Sequence, residues 1–389
     1  MWCGAEQLVR QRGRVGRQLV RGRVKVAGPS NWCGNEAERD AAERDEAERD
    51  EAERHEAERD RGGAHRRTGP PDDAHTGRPA CGATGTLPRG TRVTRVTELP
   101  VVAGLPAPGR TLVMGVINVT PDSFSDGGSF FDHDAALRHG RELIAEGADI
   151  LDVGGESTRP GAARVDPEEE LRRTIPVIRA LADEPAIRDG RTAISVDTMR
   201  AATARQAYEA GARLINDVSG GQADPAMIPT AAELGCAYVQ MHWRGHSVDM
   251  QSRAHYQNVV TEVRDELARL ADRALAAGIR ADRLVLDPGF GFAKTGEHNW
   301  QLLQHLDVLH ELGRPLLFAA SRKRFLGTLL ADPDGNPRPP LGRDDATTAL
   351  TGWAAQHDFW AVRVHTVRPS RDAIAVVDRL RRTPGPGDS

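Results

Sequence analysis

The amino-acid sequence predicts an eight-stranded α/β barrel, the (β/α)8 or TIM barrel, preceded by a disordered N-terminal extension. Short apolar runs typical of buried parallel strands alternate eight times with segments of helical periodicity. Polar residues follow each run, as they do at the carboxyl ends of barrel strands that carry a site. A doubly wound open sheet is the alternative, but no GxGxxG motif follows an early run. The eight runs are residues 112–117, 150–153, 193–196, 214–215, 237–241, 284–286, 316–319 and 361–364. Helical periodicity is clearest over residues 134–146, 168–182, 201–210, 258–277, 299–312 and 344–356.

The first quarter of the chain does not have the composition of a folded domain. Residues 36–60 repeat a five-residue unit, EAERD and its variants, and this period places no apolar stripe on a helix. Residues 61–90 are rich in Gly, Pro, Thr and Asp, which is typical of a linker. The basic, acid-poor opening up to residue 28 is typical of either a transit peptide or a solvated tail. We therefore expect a disordered extension over residues 1–97 and a catalytic barrel over residues 98–389.

Composition and charge give no reason to expect a nucleic-acid or membrane partner. The formal net charge is −4 with 28% charged residues. No run approaches the ~18 apolar residues of a membrane-spanning helix. Of the four cysteines, only Cys236 lies in the barrel part, so neither a disulfide framework nor a CxxC metal pair is expected. These observations favour a soluble protein of the reducing cytoplasm.

The first run ends at Asn118 and leads into a polar loop. Residues 112–117 are apolar apart from one glycine, which predicts a strand buried on both faces. The residues that follow, up to Gly128, are rich in Thr, Pro, Asp, Ser and Gly, and such a loop cannot be packed inside without unpaired backbone groups. The strand therefore delivers the Asn118 amide to a polar loop.

The next three runs also end in polar groups. The second run is followed by GGESTRP, the third by Asp197 and the fourth by Asn216. Taken alone, an aspartate after a strand is more often a turn or helix-cap residue than a catalytic one. The same holds for the Asn216 amide. These three strand ends therefore do not identify a functional site without the polar residues at the other strand ends.

The last four runs complete the rim with His242, Asp287, the SRKR segment that contains Lys323, and Arg363 with His365. A single lysine or histidine is most often a solvated charge or a satisfied structural group. Amide, carboxylate, lysine, arginine and histidine groups at the ends of eight separate strands are harder to explain as independent coincidences. The rim at the strand ends is therefore the predicted functional site.

Seven long motifs occur in order along the barrel part of the chain. They are NVTPDSFSDGG (118–128), DVGGESTRPGA (152–162), SVDT (195–198), INDVSGG (215–221), DPGFGFAK (287–294), SRKRFLG (321–327) and RVH (363–365). In these motifs the chain resembles the dihydropteroate synthases, the pterin-binding enzymes of folate biosynthesis. The resemblance covers residues 111–380 and leaves the N-terminal extension outside.

The resemblance implies a transferase reaction. Dihydropterin pyrophosphate and p-aminobenzoate would condense to dihydropteroate and pyrophosphate, and the enzyme would be a target of sulfonamides. Asp287 would accept the ring N–H and 2-amino donors of the pterin, with Asn216 and Lys323 beside it. Asp197 would stabilise the positive charge that develops on the pterin as pyrophosphate leaves. The implied catalytic set is Asp197, Asp287 and Lys323.

The resemblance also implies how the anionic groups are held. Arg363 and His365 follow the eighth strand, where barrels commonly bind phosphate. Asn118 would be a ligand of a Mg²⁺ ion that also holds pyrophosphate oxygens. The loops after the first two strands would close over the diphosphate and complete the p-aminobenzoate pocket, so the dihydropterin would bind first. These loops would contribute Phe124, Thr158, Arg159 and Pro160.

The sequence departs from the family pattern at two positions. Ala293 stands where the family often has glycine, a change that we expect the loop to tolerate. Arg324 stands where many members have serine, near the p-aminobenzoate carboxylate. We expect its guanidinium to hold that carboxylate more strongly than a hydroxyl would. The resemblance further implies a homodimer formed through outer helices.

Three other functions are compatible with a pterin-binding barrel of this kind. A methyltransferase domain with a corrinoid partner shares the pterin-binding carboxylates but has no use for the TPDSFSDGG and STRP loops. A non-catalytic pterin-binding paralogue is the second, and degraded loop motifs would be its sign. The third is a Schiff-base aldolase using Lys323, although the flanking Arg322 and Arg324 suit anion binding as well as amine activation.

Overall fold

The computed structural model describes residues 99–119, 129–156, 164–245 and 250–383. The predicted extension, residues 1–97, lies outside them. Within the described residues, eight strands form one sheet. The strands are β1 (Leu112–Asn118), β2 (Ile150–Gly154), β3 (Ala193–Asp197), β4 (Leu214–Asp217), β5 (Ala237–Met241), β6 (Leu284–Asp287), β7 (Leu317–Phe318) and β8 (Ala361–Val364).

The strands follow one another round the sheet in chain order, and β8 returns to pair with β1. Their pairings are parallel, and the register places Asn118 at the end of β1 opposite Gly154 at the end of β2. Between β6 and β7 the contact is an isolated parallel bridge from Leu286 to Leu316. This bridge joins the two ends of the sheet, so the predicted (β/α)8 barrel is confirmed.

Helices connect the strands, as the alternating pattern predicts. The segment predicted as one helix over residues 299–312 is two helices, because His305 between them has a non-helical backbone, with φ −126° and ψ 42°. Of the helices in the described part of the chain, none has the length and apolar content needed to span a lipid bilayer. The helices are α1 (Ser129–Ala145), α2 (Pro167–Ala182), α3 (Pro185–Arg188), α4 (Ala201–Ala210), α5 (Met227–Leu234), α6 (Val259–Ala276), α7 (Gly296–Gln304), α8 (Leu306–His310), α9 (Arg324–Leu329), α10 (Asp344–Gln356) and α11 (Val367–Arg382).

Two helices near the strand ends begin at side-chain caps. The Asn258 side chain accepts hydrogen bonds from two backbone amides in the first turn of α6. At the start of α7, Thr295 and His298 form a reciprocal capping box, with each side chain accepting from the other's backbone amide. These caps satisfy amides that a helix leaves unpaired at its start, so the chain turns sharply into α7 after the loop that follows β6.

The core has two layers because successive strand residues point to opposite faces. In β1, Leu112 and Met114 belong to the cluster inside the barrel, whereas Val113 and Ile117 belong to the larger cluster between the strands and the helices. A strand packed on both faces must be apolar throughout, which is why these runs show no alternation in the sequence. A polar residue within such a strand is therefore an exception that needs a specific partner.

Candidate active site

Charged and amide side chains from β2, β3, β4 and β8 form one network. Arg363 Nε donates to Asp152 Oδ2 over 2.7 Å, and Arg363 Nη2 donates to Asp197 Oδ2 over 2.7 Å. Asn216 Nδ2 donates to the same Asp152 oxygen over 2.9 Å. One guanidinium therefore holds two carboxylates from neighbouring strands, and Asp152 links it to the Asn216 amide.

The carboxylates of this network are almost removed from water. Asp152 is fully buried, and Asp197 is 7% exposed. Burial raises the pKa of Asp197 to about 7, and Arg363 acts in the opposite direction. Burial acts to lower the pKa of Arg363, but its two carboxylate partners outweigh that effect and raise it. A permanent cation thus lies beside a carboxylate that titrates near neutral pH.

Asp152 was not among the site residues predicted from the sequence. Its Oδ1 atom is buried and has no hydrogen-bond partner within the described residues. The signal that could have identified it is a carboxylate in the middle of the apolar run ILDV, since a buried strand excludes a charge unless a partner meets it. Two partners do so here, Arg363 and Asn216.

A second group of charges lies where β6 and β7 end. Asp287 is the last residue of β6, and its Oδ1 accepts a hydrogen bond from the Gly289 amide over 2.7 Å. Burial raises the pKa of Asp287 to about 6, opposed by that hydrogen bond and by Lys323. Burial and the charge of Arg363 lower the pKa of Lys323 to about 8, while Asp287 and Asp197 act to raise it. Lys323 is thus close enough to both predicted catalytic carboxylates, Asp197 and Asp287, for their charges to affect it.

The Lys323 side chain packs against the loop after β6. Its Nζ lies 3.9 Å from the centre of the Phe292 ring, which is a cation–π contact. Gly291 leaves the space for the aliphatic stem, because a Cβ atom there would lie 2.8 Å from Lys323 Cδ. Gly291 also has φ +76°, a conformation that other residues rarely adopt. The position of the Lys323 ammonium therefore depends on the shape of this loop.

The residues before Lys323 have partners of their own. Arg322 has φ +59° and donates to both oxygens of Asp344, over 2.6 and 2.7 Å. Ser321 Oγ lies 2.9 Å from Nδ1 of His365, the residue that follows β8. Arg322 is thus engaged with the Asp344 carboxylate. The contact with Ser321 orients the His365 imidazole.

The predicted site residues fall into three groups. Hydrogen bonds or mutual charge effects bring together Asp197, Asn216, Asp287, Lys323 and Arg363. At the end of β1, the start of α9 and after β8 lie Asn118, Arg324 and His365, respectively. Outside the described residues lie Phe124, Thr158, Arg159 and Pro160.

Asn118 is the residue predicted to bind Mg²⁺. It is half-buried at the carboxyl end of β1, and its amide oxygen is a hard donor of the type that Mg²⁺ prefers. Across residues 99–119, 129–156, 164–245 and 250–383, no cluster of three or more His, Cys, Asp or Glu side chains could hold a metal ion. The chemistry of the Asn118 amide oxygen therefore fits the predicted role of a Mg²⁺ ligand.

Ala293 is buried and has φ +47°, a left-handed conformation that favours glycine. Replacing it with glycine removes that strain but also a buried methyl group. We expect the free energy of unfolding to change by less than about 1 kcal/mol. Replacing it with valine adds β-branching and volume and should cost about 2 kcal/mol or more. Urea unfolding of both variants measures these changes. An Ala293→Val protein as stable as the wild type would contradict the view that this backbone conformation and burial limit the residue at position 293.

Comparison with known proteins places this site in a family. The Pterin binding enzyme family matches residues 114–365. The dihydropteroate synthase of Mycobacterium leprae (strain TN) is 55% identical over 266 residues, which cover 68% of this chain and 92% of the relative. The dihydropteroate synthase of Streptococcus pyogenes serotype M3 (strain MGAS315) is 43% identical over 272 residues, which cover 70% of this chain and 96% of the relative.

Solved structures agree with the sequence relatives. A Xanthomonas albilineans dihydropteroate synthase with 4-aminobenzoic acid has a TM-score of 0.64 and 44% identity, over 71% of this chain and 94% of that chain. The enzyme from the same organism in complex with 7,8-dihydropteroate has a TM-score of 0.62 and 41% identity, over 71% of this chain and 95% of that chain. The family match covers more than half of this chain, and the relatives are matched over nearly their whole length. The chain therefore belongs to the pterin-binding enzyme family and, within it, to the dihydropteroate synthases.

Proposed function

We propose that this chain condenses 6-hydroxymethyl-7,8-dihydropterin pyrophosphate with p-aminobenzoate to form 7,8-dihydropteroate and pyrophosphate. The names of its relatives support this reaction, and two of the similar structures bind 4-aminobenzoic acid and 7,8-dihydropteroate. Within the chain itself, the observation that carries the proposal is the Arg363 guanidinium held between Asp152 and Asp197. It combines a fixed cation suited to a departing diphosphate with a carboxylate suited to the cationic pterin.

Asp287, Asn216 and Lys323 are the proposed pterin-binding groups. A pterin presents ring N–H and 2-amino donors on one edge, and one carboxylate can accept from both. Asp287 suits this role because it is buried and its orientation is fixed by the Gly289 amide. Lys323 would donate to the pterin carbonyl or a ring nitrogen. Analogues that lack these groups would be rejected by up to ~10⁴-fold, because buried polar groups of the site would be left unpaired.

The proposed chemistry takes place at the methylene carbon of the pterin. Its C–O bond to the diphosphate breaks, the amine nitrogen of p-aminobenzoate forms the new C–N bond, and that nitrogen releases one proton to solvent. Positive charge develops on the methylene carbon and the ring as the diphosphate departs. Asp197 would stabilise this charge, because it is a buried carboxylate already oriented by Arg363 and need not reorganise during the reaction.

Arg363 and His365 are the proposed diphosphate-binding groups. The Arg363 guanidinium is a permanent donor. The His365 imidazole, two residues further along the chain, is oriented by its contact with Ser321. Asn118 is the proposed protein ligand of Mg²⁺, which when bound would neutralise part of the diphosphate charge. Phe124, Thr158, Arg159 and Pro160 remain predicted contributors to the diphosphate and p-aminobenzoate sites.

Arg324 is proposed to bind the carboxylate of p-aminobenzoate. Replacing it with serine removes a charge-assisted hydrogen bond and should raise the KM for p-aminobenzoate about tenfold. Steady-state kinetics at saturating dihydropterin pyrophosphate measure this effect. Arg382→Ser is the matched control, because Arg382 pairs with Asp378 on the outer surface of α11. An unchanged KM in the Arg324 variant would refute the assignment.

A coupled assay tests the proposed function directly. The full chain and a protein of residues 98–389 are each incubated with dihydropterin pyrophosphate, p-aminobenzoate and Mg²⁺, and dihydropteroate and pyrophosphate are followed together. We expect both products in equal amounts from both proteins. Binding of dihydropterin pyrophosphate without product would instead indicate the non-catalytic pterin-binding alternative.

The quaternary structure that we propose is a homodimer. Leu329, Leu341 and Trp353 support it, because these large apolar side chains of α9, α10 and the turn between them are exposed. Sedimentation velocity of the full chain should give twice the monomer mass, and Trp353→Glu should lower it. The composition supports a soluble protein of the cytoplasm, for which cell fractionation is the test.

A further inference from the structure

A polar chain of three residues, two of them buried, lies outside the proposed substrate-binding groups. It consists of Glu266 in α6, His242 directly after β5, and Lys294 in the loop after β6. His242 Nε2 lies 2.8 Å from Glu266 Oε2, and Lys294 Nζ lies 3.1 Å from His242 Nδ1. Lys294 is 3% exposed and His242 is fully buried. The chemistry proposed above gives none of the three a role.

The contacts define where the protons lie. Lys294 Nζ has three acceptors, His242 Nδ1 at 3.1 Å, Gly289 O at 3.0 Å and Phe292 O at 3.1 Å, which match the three N–H donors of an ammonium group. His242 Nδ1 therefore accepts, and its Nε2–H donates to Glu266. Burial lowers the pKa of His242 to about 4, which agrees with a neutral ring. Burial also lowers the pKa of Lys294 to about 7, and the three acceptors place the proton on this lysine.

The ammonium of Lys294 lies inside the loop that leads to it. Gly289 O accepts from the Phe292 amide as well as from the lysine, which closes a tight turn between them. Gly291 N donates to the Asn299 side chain over 2.7 Å. The loop is thus fixed by hydrogen bonds along its length, and Lys294 supplies two of them from the buried side.

The same loop sets the position of the proposed pterin-binding groups. The Gly289 amide orients the Asp287 carboxylate, and the Phe292 ring contacts the Lys323 ammonium at 3.9 Å. Both Gly289 and Phe292 use their carbonyl oxygens to accept from Lys294. Replacing Lys294 would therefore affect Asp287 through Gly289 and Lys323 through Phe292.

We propose that Lys294, oriented by His242 and Glu266, is a positioning residue that shapes the loop after β6 for binding of the dihydropterin ring. The inference rests on the proposed function, since it takes the dihydropterin as the ligand of this loop. The proposal requires that replacing Lys294 impairs the binding of one substrate only. Binding of the dihydropterin should weaken when Lys294 is replaced, whereas recognition of p-aminobenzoate, which involves other loops, should not.

The test uses the full chain with Lys294→Met, which keeps the side-chain length but removes the donors. Calorimetric Kd and KM for dihydropterin pyrophosphate should both rise about tenfold, the size typical of losing support behind a ligand-binding group. The KM for p-aminobenzoate at saturating dihydropterin should stay within about twofold. His242→Phe should act in the same direction. Glu262→Gln is the control. Arg244 pairs with both Glu262 and Glu266, but Glu262 contacts neither His242 nor Lys294.

Four outcomes would overturn the proposal. A folded Lys294→Met protein with unchanged dihydropterin affinity would show that the lysine is only structural, as would an equal rise in both KM values. If that variant fails to fold, His242→Phe removes the acceptor that orients Lys294 and leaves the lysine in place. An unchanged dihydropterin affinity in a folded His242→Phe protein would then refute the role. A wild-type chain that binds no dihydropterin pyrophosphate would refute the proposed function itself, which separates the two failures.

Discussion

Replacing Asp197 with asparagine is expected to lower kcat by about 10²- to 10³-fold, the usual cost of removing one preorganised group that stabilises developing charge. Asparagine keeps the shape of the side chain but presents no negative charge to the cationic pterin. The effect should appear in kcat more than in either KM, because the charge exists only in the transition state. Steady-state kinetics at pH 8, where the wild-type carboxylate is ionised, measure it.

The same substitution should raise stability at high pH. Burial raises the pKa of Asp197 to about 7, above the value of an unfolded aspartate, so the wild-type protein loses stability as pH rises from about 4 to 7. The asparagine side chain does not titrate, and the difference in Tm between variant and wild type should grow over that range and stay constant above it. Asp334→Asn, in an exposed loop, is the control for both measurements. An unchanged kcat in the Asp197 variant would show that this carboxylate does not stabilise the developing charge.

Replacing Asp152 with alanine is expected to destabilise the barrel by about 3 kcal/mol, because it removes one of the two carboxylates that hold the largely buried Arg363 guanidinium and the acceptor of the buried Asn216 amide. The lost oxygen is shared by Arg363 and Asn216, and the guanidinium retains only Asp197 within this network. Urea unfolding measures the loss, and KM for dihydropterin pyrophosphate should rise in the protein that remains folded.

A surface pair provides the contrast for Asp152. Glu233 pairs with Arg205, and their side chains are 66% and 38% exposed, respectively. Water and salt screen such a pair, so Glu233→Ala should change the free energy of unfolding far less than the Asp152 substitution does. Equal losses of unfolding free energy in the two variants would mean that burial does not strengthen the contribution of the Asp152 contacts to stability. Such a result would contradict the view that this carboxylate organises the network.

The fold was predictable because barrel strands are apolar on both faces and have polar residues at their ends. Each of the eight predicted runs overlaps an observed strand, and the run over residues 237–241 matches β5 at both ends. Helix boundaries were less predictable where the periodicity was incomplete. The break at His305 depends on a backbone conformation that no pattern of apolar residues encodes, and α5 was not among the clear helical segments because its eight residues are apolar on most faces.

The candidate site was predictable as a rim but not as a network. Strand ends identified Asp197, Asn216 and Asp287, since parallel strands bring their carboxyl ends to one edge. The pairing of Asp152 with Arg363 joins residues 211 positions apart, and nothing in either local sequence specifies the other. Lys294 was hidden for a similar reason, because its partners lie in its own loop and after a neighbouring strand. Which carboxylate meets which cation depends on the closed geometry of the sheet.

Between β6 and β7 the barrel is joined by an isolated bridge, which leaves a gap in the continuous strand pairing of the sheet. Asp287 ends the strand on one side of that gap, and Lys323 follows the strand on the other. A pterin bound by both groups would span the gap and act as a removable cross-link between the first and last edges of the sheet. Substrate occupancy would then contribute directly to the closure of the barrel, and the empty protein would open first at the place where its ligand enters.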